Sequence, residues 1–162
     1  MAKRKKHTAK TLPMRALEDK GIDYVIREHA RKQYTAEGVA EDLSVPVAWV
    51  VKAMIVQRSD RTFALVAIPG DRQLSLKSVG AVLDDKNVQM ANQRDVQRVT
   101  GFQVGAVSVL GFRRDDIPSY LDQHVLELER AIISSGRPDM GLEMGPNDLL
   151  RALDAHVDDF TY

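Results

Sequence analysis

The chain reads as a single α+β domain, one mixed sheet with flanking helices, on three observations. Strand-like and helix-like segments are interleaved without the regular strand-helix-strand spacing of a doubly wound sheet. Two consecutive apolar runs, joined by the turn-forming Ser59-Asp60-Arg61, predict a central hairpin. The 162 residues, 44% of them hydrophobic, suffice for one core but not for two ordinary domains. No internal repeat or dividing linker interrupts them.

From the N-terminus, Leu12 to Lys20 carries Leu12, Ala16 and Leu17 at near-helical spacing, and Gly21 supplies a stop. Ile22 to Glu28 sets Ile22, Tyr24 and Ile26 against Asp23, Val25 and Arg27, the pattern of a half-exposed strand. Thr35 is placed to cap a short helix bearing Val39, Ala40 and Leu43. The hairpin strands run from Trp49 to Arg58 and from Thr62 to Ile68. Ser75 caps a helix to Leu83, Asn87 to Met90 forms a weak strand, and Asn92 caps a helix that Gly101 ends after Thr100. Val104 to Leu110 is expected to contain a strand entered through a tight turn. Further short strands are expected near Pro118 to Leu121, Ala131 to Ser134 and Gly141 to Met144. A last helix follows Pro146, capped by Gly145 or Asn147, and ends near Asp154.

Composition removes several chemistries. There is no cysteine, which excludes disulfides, thiolate catalysis and cysteine metal sites for this chain. The histidines at 7, 29, 124 and 156 lack metal-ligand spacing, and Ser108 lacks a nucleophile-elbow context. No metal and no cofactor are therefore expected. No apolar run approaches the roughly 18 residues that span a bilayer, so a cytoplasmic protein without a membrane partner is the expectation. Zero formal charge argues against coating nucleic acid by bulk electrostatics. Residues 1–10, with Lys3-Arg-Lys-Lys6 and Lys10, are set apart as a basic, flexible tail, leaving 11–162 as the domain.

Lys52 is the residue that demands explanation. It lies within Val45-Pro-Val-Ala-Trp-Val-Val-Lys-Ala-Met-Ile-Val56, where alternation puts Val50, Lys52, Met54 and Val56 on one face and Trp49, Val51, Ala53 and Ile55 on the other. An ammonium buried there without partners costs several kcal/mol, so Lys52 must reach water or serve a polar ligand in a cleft. The second unusual element is Thr100-Gly-Phe-Gln-Val-Gly-Ala-Val-Ser-Val-Leu-Gly111, whose glycines let backbone amides approach a ligand closely or simply shape a turn. It is neither a Walker loop nor a dinucleotide fingerprint. His29, just after a strand, is a candidate pocket residue.

Read together, these pieces resemble the YbaK and prolyl-tRNA synthetase-associated domain family of aminoacyl-tRNA deacylases. The resemblance runs from about Leu12 to Asp154. It is carried by Glu28-His29, Tyr34-Thr-Ala-Glu37, Val51-Lys-Ala-Met-Ile-Val56, Gln73-Leu-Ser-Leu-Lys77, the loop from Gly101 to Gly111, and Ser135-Gly136 ahead of Gly141-Leu-Glu143. It implies a curved, barrel-like mixed sheet, and a free-standing editing enzyme that hydrolyses the ester of mischarged tRNA, with Cys-tRNA(Pro)- or Ala-tRNA(Pro)-like substrates. It implies partners too: the 3' aminoacyl-adenosine end of tRNA, and an aminoacyl-tRNA synthetase as a candidate. The family lysine falls on Lys52, the pocket-loop glycine on Gly105 and the loop serine on Ser108, which gives the catalytic set. Tyr34, His29, Gly101, Ala106, Val107 and Gly141 form the expected substrate-binding set.

Two positions depart from the family loop: Ala106 replaces a glycine and Val109 a proline. Where cysteinyl-tRNA deacylases of the family often carry a tyrosine and an aspartate, this chain has Arg27 and Gly141. The departures in the loop motivate one alternative, a non-catalytic tRNA- or protein-binding module of the same fold. For the enzyme, amides from Gly105 to Val107 would hold the ester carbonyl while Lys52 neutralises its oxygen or a nearby phosphate, and Ser108 and Tyr34 would orient substrate. The attacking group is water, the neighbouring ribose hydroxyl or, for a cysteinyl substrate, its thiol in a lyase-type cyclisation. A Schiff-base role for Lys52 has no supporting acid-base pattern.

Overall fold

The computed structural model describes residues 9–29 and 35–162, and Tyr34 and most of the basic tail lie outside them. Five helices are described: α1 (Leu12–Asp19), α2 (Ala36–Leu43), α3 (Leu76–Leu83), α4 (Gln93–Thr100) and α5 (Pro146–Leu153). Eight strands accompany them: β1 (Val25–Glu28), β2 (Lys52–Gln57), β3 (Phe63–Ile68), β4 (Gln89–Met90), β5 (Ser119–Asp122), β6 (Ala131–Arg137), β7 (Met140–Met144) and β8 (His156–Asp158). The architecture is the mixed α+β domain expected.

Local chemistry sets the helix starts. Thr35, Ser75 and Asn92 each accept a hydrogen bond from the backbone N–H three residues on, which satisfies one donor that the first turn leaves open. Gly145 stands at the N-cap of α5, with Pro146 as its first residue. Gly101 ends α4 in the left-handed conformation at φ 82°.

The strands form two sheets rather than a closed barrel. One has the order β1-β7-β6 and the other β4-β2-β3-β5-β8. They meet through an isolated parallel bridge between Val50 and Ile132, where the Val51 amide donates to the Ile132 carbonyl at 2.9 Å. That junction lies immediately before Lys52. Within the larger sheet, β2 and β3 form the expected antiparallel hairpin, with Lys52 opposite Ile68 and Gln57 opposite Phe63.

Every residue of β3 is buried, because both faces of this strand are covered. Phe63, Leu65 and Ala67 join Val51, Ile55, Leu17 and Leu142 in the main core, while Ala64, Val66 and Ile68 pack with Val56, Val79 and Phe160 on the opposite side. The alternation read for β2 holds, since Val51 and Ile55 enter the first cluster and Met54 and Val56 the second.

Three sequence expectations are corrected. The first hairpin strand begins at Lys52, not Trp49, because Val47–Trp49 is a 3-10 turn after Pro46, closed by Trp49 N–H donating to the Pro46 carbonyl at 3.0 Å. Val104 to Leu110 contains no strand. Its Ala106 N–H closes a turn on the Gln103 carbonyl at 3.0 Å, and its remaining bonds go sideways to β6. The strand expected from Ile22 begins only at Val25, since the Ile22 amide still bonds to Leu17 at the end of α1. Ile26 is 47% exposed on this edge strand.

Candidate functional site

The 3-10 turn delivers the chain into β2 at the seam between the sheets, and a cavity of about 420 Å³ opens there. Its walls are apolar over Val39, Val50, Ile132 and Ile133, with a few polar groups converging on them. This is the ordinary build of a small-molecule site. Lys52 and Ala53 form one wall, and the first turn of α2 (Ala36 and Glu37, with the cap Thr35) another. Gly105 and Val107 come from the long loop, Arg137 from the end of β6 and Pro138 from the turn into β7.

Lys52 is half-buried, and its ammonium donates to the Arg72 carbonyl oxygen at 2.8 Å. Arg72 reaches that position because Gly70 brings the chain against the 3-10 turn. A Cβ at Gly70 would stand 2.6 Å from the Val50 carbonyl oxygen and closer still to that of Val47. Three donors on an ammonium and one fixed carbonyl leave protons available for a ligand in the cavity.

The loop from Gly101 to Gly111 divides by face. Gly105, at φ 83°, and Val107 line the cavity, while Ala106 and Ser108 point inward and are 1% and 0% exposed. A reciprocal pair of bonds fixes this arrangement. The Ser108 hydroxyl donates to the Ser134 carbonyl at 2.5 Å, and the Ser134 hydroxyl donates to the Ala106 carbonyl at 2.9 Å. The Ala106 amide is spent on Gln103, whereas the Gly105 and Val107 amides have no hydrogen-bond partner among the described residues. They are the two loop residues that line the cavity, so theirs are the loop amides a ligand there can reach. Val109 belongs to the main core, so both departures from the family loop sit in packed interior rather than on the cavity wall.

Of the residues singled out from sequence, His29, Lys52, Gly105, Val107 and Gly141 are brought together around the cavity. Gly141 pairs with both Arg27 and Ser134, and a Cβ there would meet the Ile132 side chain at 2.9 Å. Gly101, Ala106 and Ser108 are not on the wall: Gly101 terminates α4, and the other two are turned into the core. Tyr34 lies outside the described residues.

Sequence reasoning missed Glu37, Ser134 and Arg137 as wall residues. The β6–β7 register shifts between Ser134 and Arg137, and this bulge turns Arg137 toward the cavity. Its guanidinium grips Asp139 through two bonds of 3.1 and 3.0 Å, and the Arg137 partner holds the Asp139 carboxyl below the usual carboxylate range. The signal available was the turn sequence Gly136-Arg137-Pro138-Asp139.

A family model described as the aminoacyl-tRNA editing domain matches residues 30–152. An Enterococcus faecalis protein, named provisionally as the Cys-tRNA(Pro)/Cys-tRNA(Cys) deacylase EbsC, is 30% identical over 152 residues, covering 93% of this chain and 92% of that one. The proline–tRNA ligase of Thermosipho africanus is 34% identical over 77 residues, which is 48% of this chain and 14% of the ligase. A crystal structure described as a provisional trans-editing enzyme for prolyl-tRNA synthetase superimposes with a TM-score of 0.84 at 23% identity, over 96% of this chain and 99% of that one. The last comparison establishes a shared fold.

Proposed function

The chain belongs to the aminoacyl-tRNA editing domain family, and from that membership we propose that its cavity receives the 3' aminoacyl-adenosine end of a mischarged tRNA and is where the ester is hydrolysed. The observation that carries the reading is the placement of Lys52 and the two unpaired amides of Gly105 and Val107 around one cavity. An aminoacyl ester is already activated, so donors aimed at its developing oxyanion supply most of what the reaction needs. Gly105 N–H and Val107 N–H hold the carbonyl oxygen. Lys52, steadied by Arg72, neutralises that oxygen or the adjacent phosphate.

Ser108 acts from behind the wall, fixing the loop through Ser134 rather than touching substrate. Tyr34, Gly101 and Ala106 remain proposals from the family pattern alone, of which Gly101 and Ala106 shape the loop. His29 and Gly141 border the amino acid, and the apolar Val39, Val50 and Ile132 favour a small side chain. Substrates of the Cys-tRNA(Pro) or Ala-tRNA(Pro) kind fit such a wall, the first in keeping with the name of the enterococcal relative. Water or the vicinal ribose hydroxyl attacks; a cysteinyl thiol would do so by cyclisation.

A prolyl-tRNA synthetase is the partner suggested by the ligases that share this segment. No helix among the described residues is long and apolar enough to cross a membrane, and the cytoplasm, where tRNA is charged, is the proposed compartment.

Incubation with a panel of mischarged tRNAs tests the reading. Ester loss from alanyl- or cysteinyl-tRNA(Pro) is expected, and binding without ester loss across the panel would overturn it in favour of a non-catalytic module.

A further inference from the structure

We propose that Thr161 is a positioning residue for Lys52, acting through Arg72; the inference rests on the site role given to Lys52 above. The Arg72 carbonyl that receives the Lys52 ammonium lies in the loop after β3, and the end of the chain holds that loop. Gln73 exchanges both backbone hydrogen bonds with Tyr162, at 3.2 and 3.0 Å, and the Ser75 amide donates to the Phe160 carbonyl at 2.8 Å. Phe160 is fully buried in the second core cluster, which anchors the tail.

The side chains add a second restraint at Arg72 itself. Arg72 Nε donates to Thr161 Oγ1 at 2.6 Å, and the Thr161 hydroxyl lies 3.3 Å from each oxygen of Asp122. A hydroxyl has one proton and two lone pairs, so it gives its proton to the carboxylate and accepts from the guanidinium. Asp122 is wholly buried on β5 and also accepts from the amides of Phe160, at 2.8 Å, and His124, at 3.2 Å. It is therefore a fixed point. The line Asp122, Thr161, Arg72, Lys52 runs from a rigid strand to the cavity wall, and every link is a bond of defined direction. Valine reproduces the shape of Thr161 but can neither accept from Arg72 nor donate to Asp122. With it, the loop keeps its backbone pairing and loses the bond that fixes Arg72.

Two readouts separate positioning from mere tail anchoring: steady-state deacylation, and the NMR signal of Lys52 after reductive ¹³C-methylation, assigned by its absence in Lys52→Ala. Thr161→Val is expected to lower kcat about three- to tenfold, the scale of one lost hydrogen bond, with KM within about twofold of the parent. It should also shift the Lys52 signal while leaving that of Lys20 in place, and Thr161→Ser should restore both. A lower melting temperature with the Lys52 signal and kcat unchanged would overturn the inference. Should Thr161→Val fail to fold, Arg72→Met removes the same bond from its half-exposed partner and is read in the same way. If Lys52→Ala deacylates as fast as the parent, the editing role of Lys52 falls. The Lys52 signal then decides alone: a shift in Thr161→Val reversed in Thr161→Ser supports the positioning, and no shift refutes it.

Discussion

Lys52 stands opposite Ile68 in the β2–β3 ladder, yet its ammonium is bonded to a carbonyl four residues beyond that partner, at Arg72. The bond turns the side chain back over the end of β3 and holds it at the cavity instead of letting it run out to solvent. A lysine in an apolar strand is thereby given a fixed acceptor, with no carboxylate within salt-bridge distance among the described residues.

Removing that ammonium should leave the fold standing, because Lys52 is only half-buried at the strand's first position. Lys52→Ala is expected to lower deacylation by about 10²- to 10³-fold, the usual consequence of deleting one oxyanion-stabilising contact. Single-turnover rates on a confirmed substrate, with a thermal melt alongside, check it. Parental rates in the variant would remove Lys52 from the chemistry.

Ser108 should behave differently. Its hydroxyl is buried and donates to the part-buried Ser134 carbonyl, so Ser108→Ala is expected to cost about 0.5–1.5 kcal/mol of stability, the scale of one lost hydrogen bond. The rate should fall less than tenfold, through the loosened loop. Denaturant midpoints and kcat measured together separate this from direct contact with substrate, which a hundredfold loss at unchanged stability would indicate.

At Gly70 the two atoms nearest a new Cβ are backbone oxygens, of Val47 in the 3-10 turn and of Val50 just after it, and neither can step aside alone. Gly70→Ala should destabilise by about 1–3 kcal/mol, the scale of overpacking a close approach. Because the turn precedes Lys52 and the loop carries Arg72, deacylation should fall with it. A variant as stable and as active as the parent would show that the two segments separate freely.

Tyr24 reports on a contact off the cavity wall. Burial and then the hydrogen bond to Glu18, at 2.6 Å, push its phenol up to about 12. Its folded value thus lies above the ordinary one near 10, so the stability it contributes is complete below pH 10 and is lost as pH rises toward 12. Absorbance titration should show one tyrosine ionising about two units late, a component missing in Tyr24→Phe. Coincident titration of every tyrosine near pH 10 would contradict the Glu18 contact.

Much of the scaffold was legible because its causes are local. The caps Thr35, Ser75 and Asn92 bond to amides three residues away, and the continuous apolar run from Phe63 to Ile68 announces a strand covered on both faces. Lys52 announced itself as a charge in such a run, and the order of segments placed it beside a glycine loop. Sequence therefore determined the class of fold, the hairpin, the helix starts and the membership of five residues in one cavity.

The tertiary structure decided which way the loop faces. Gly105 and Ser108 are three residues apart in one apolar stretch, and nothing local tells the cavity side from the core side. Ser134, 26 residues further on, makes the choice by bonding to Ser108 and Ala106. The same holds for the edge exposure of Ile26, for β8, and for the tail that reaches Arg72 across 89 residues. Hydrogen bonds between distant segments form only once the chain has already paid the entropy of closing the intervening loop, so their outcome leaves no period or spacing in the sequence to be read.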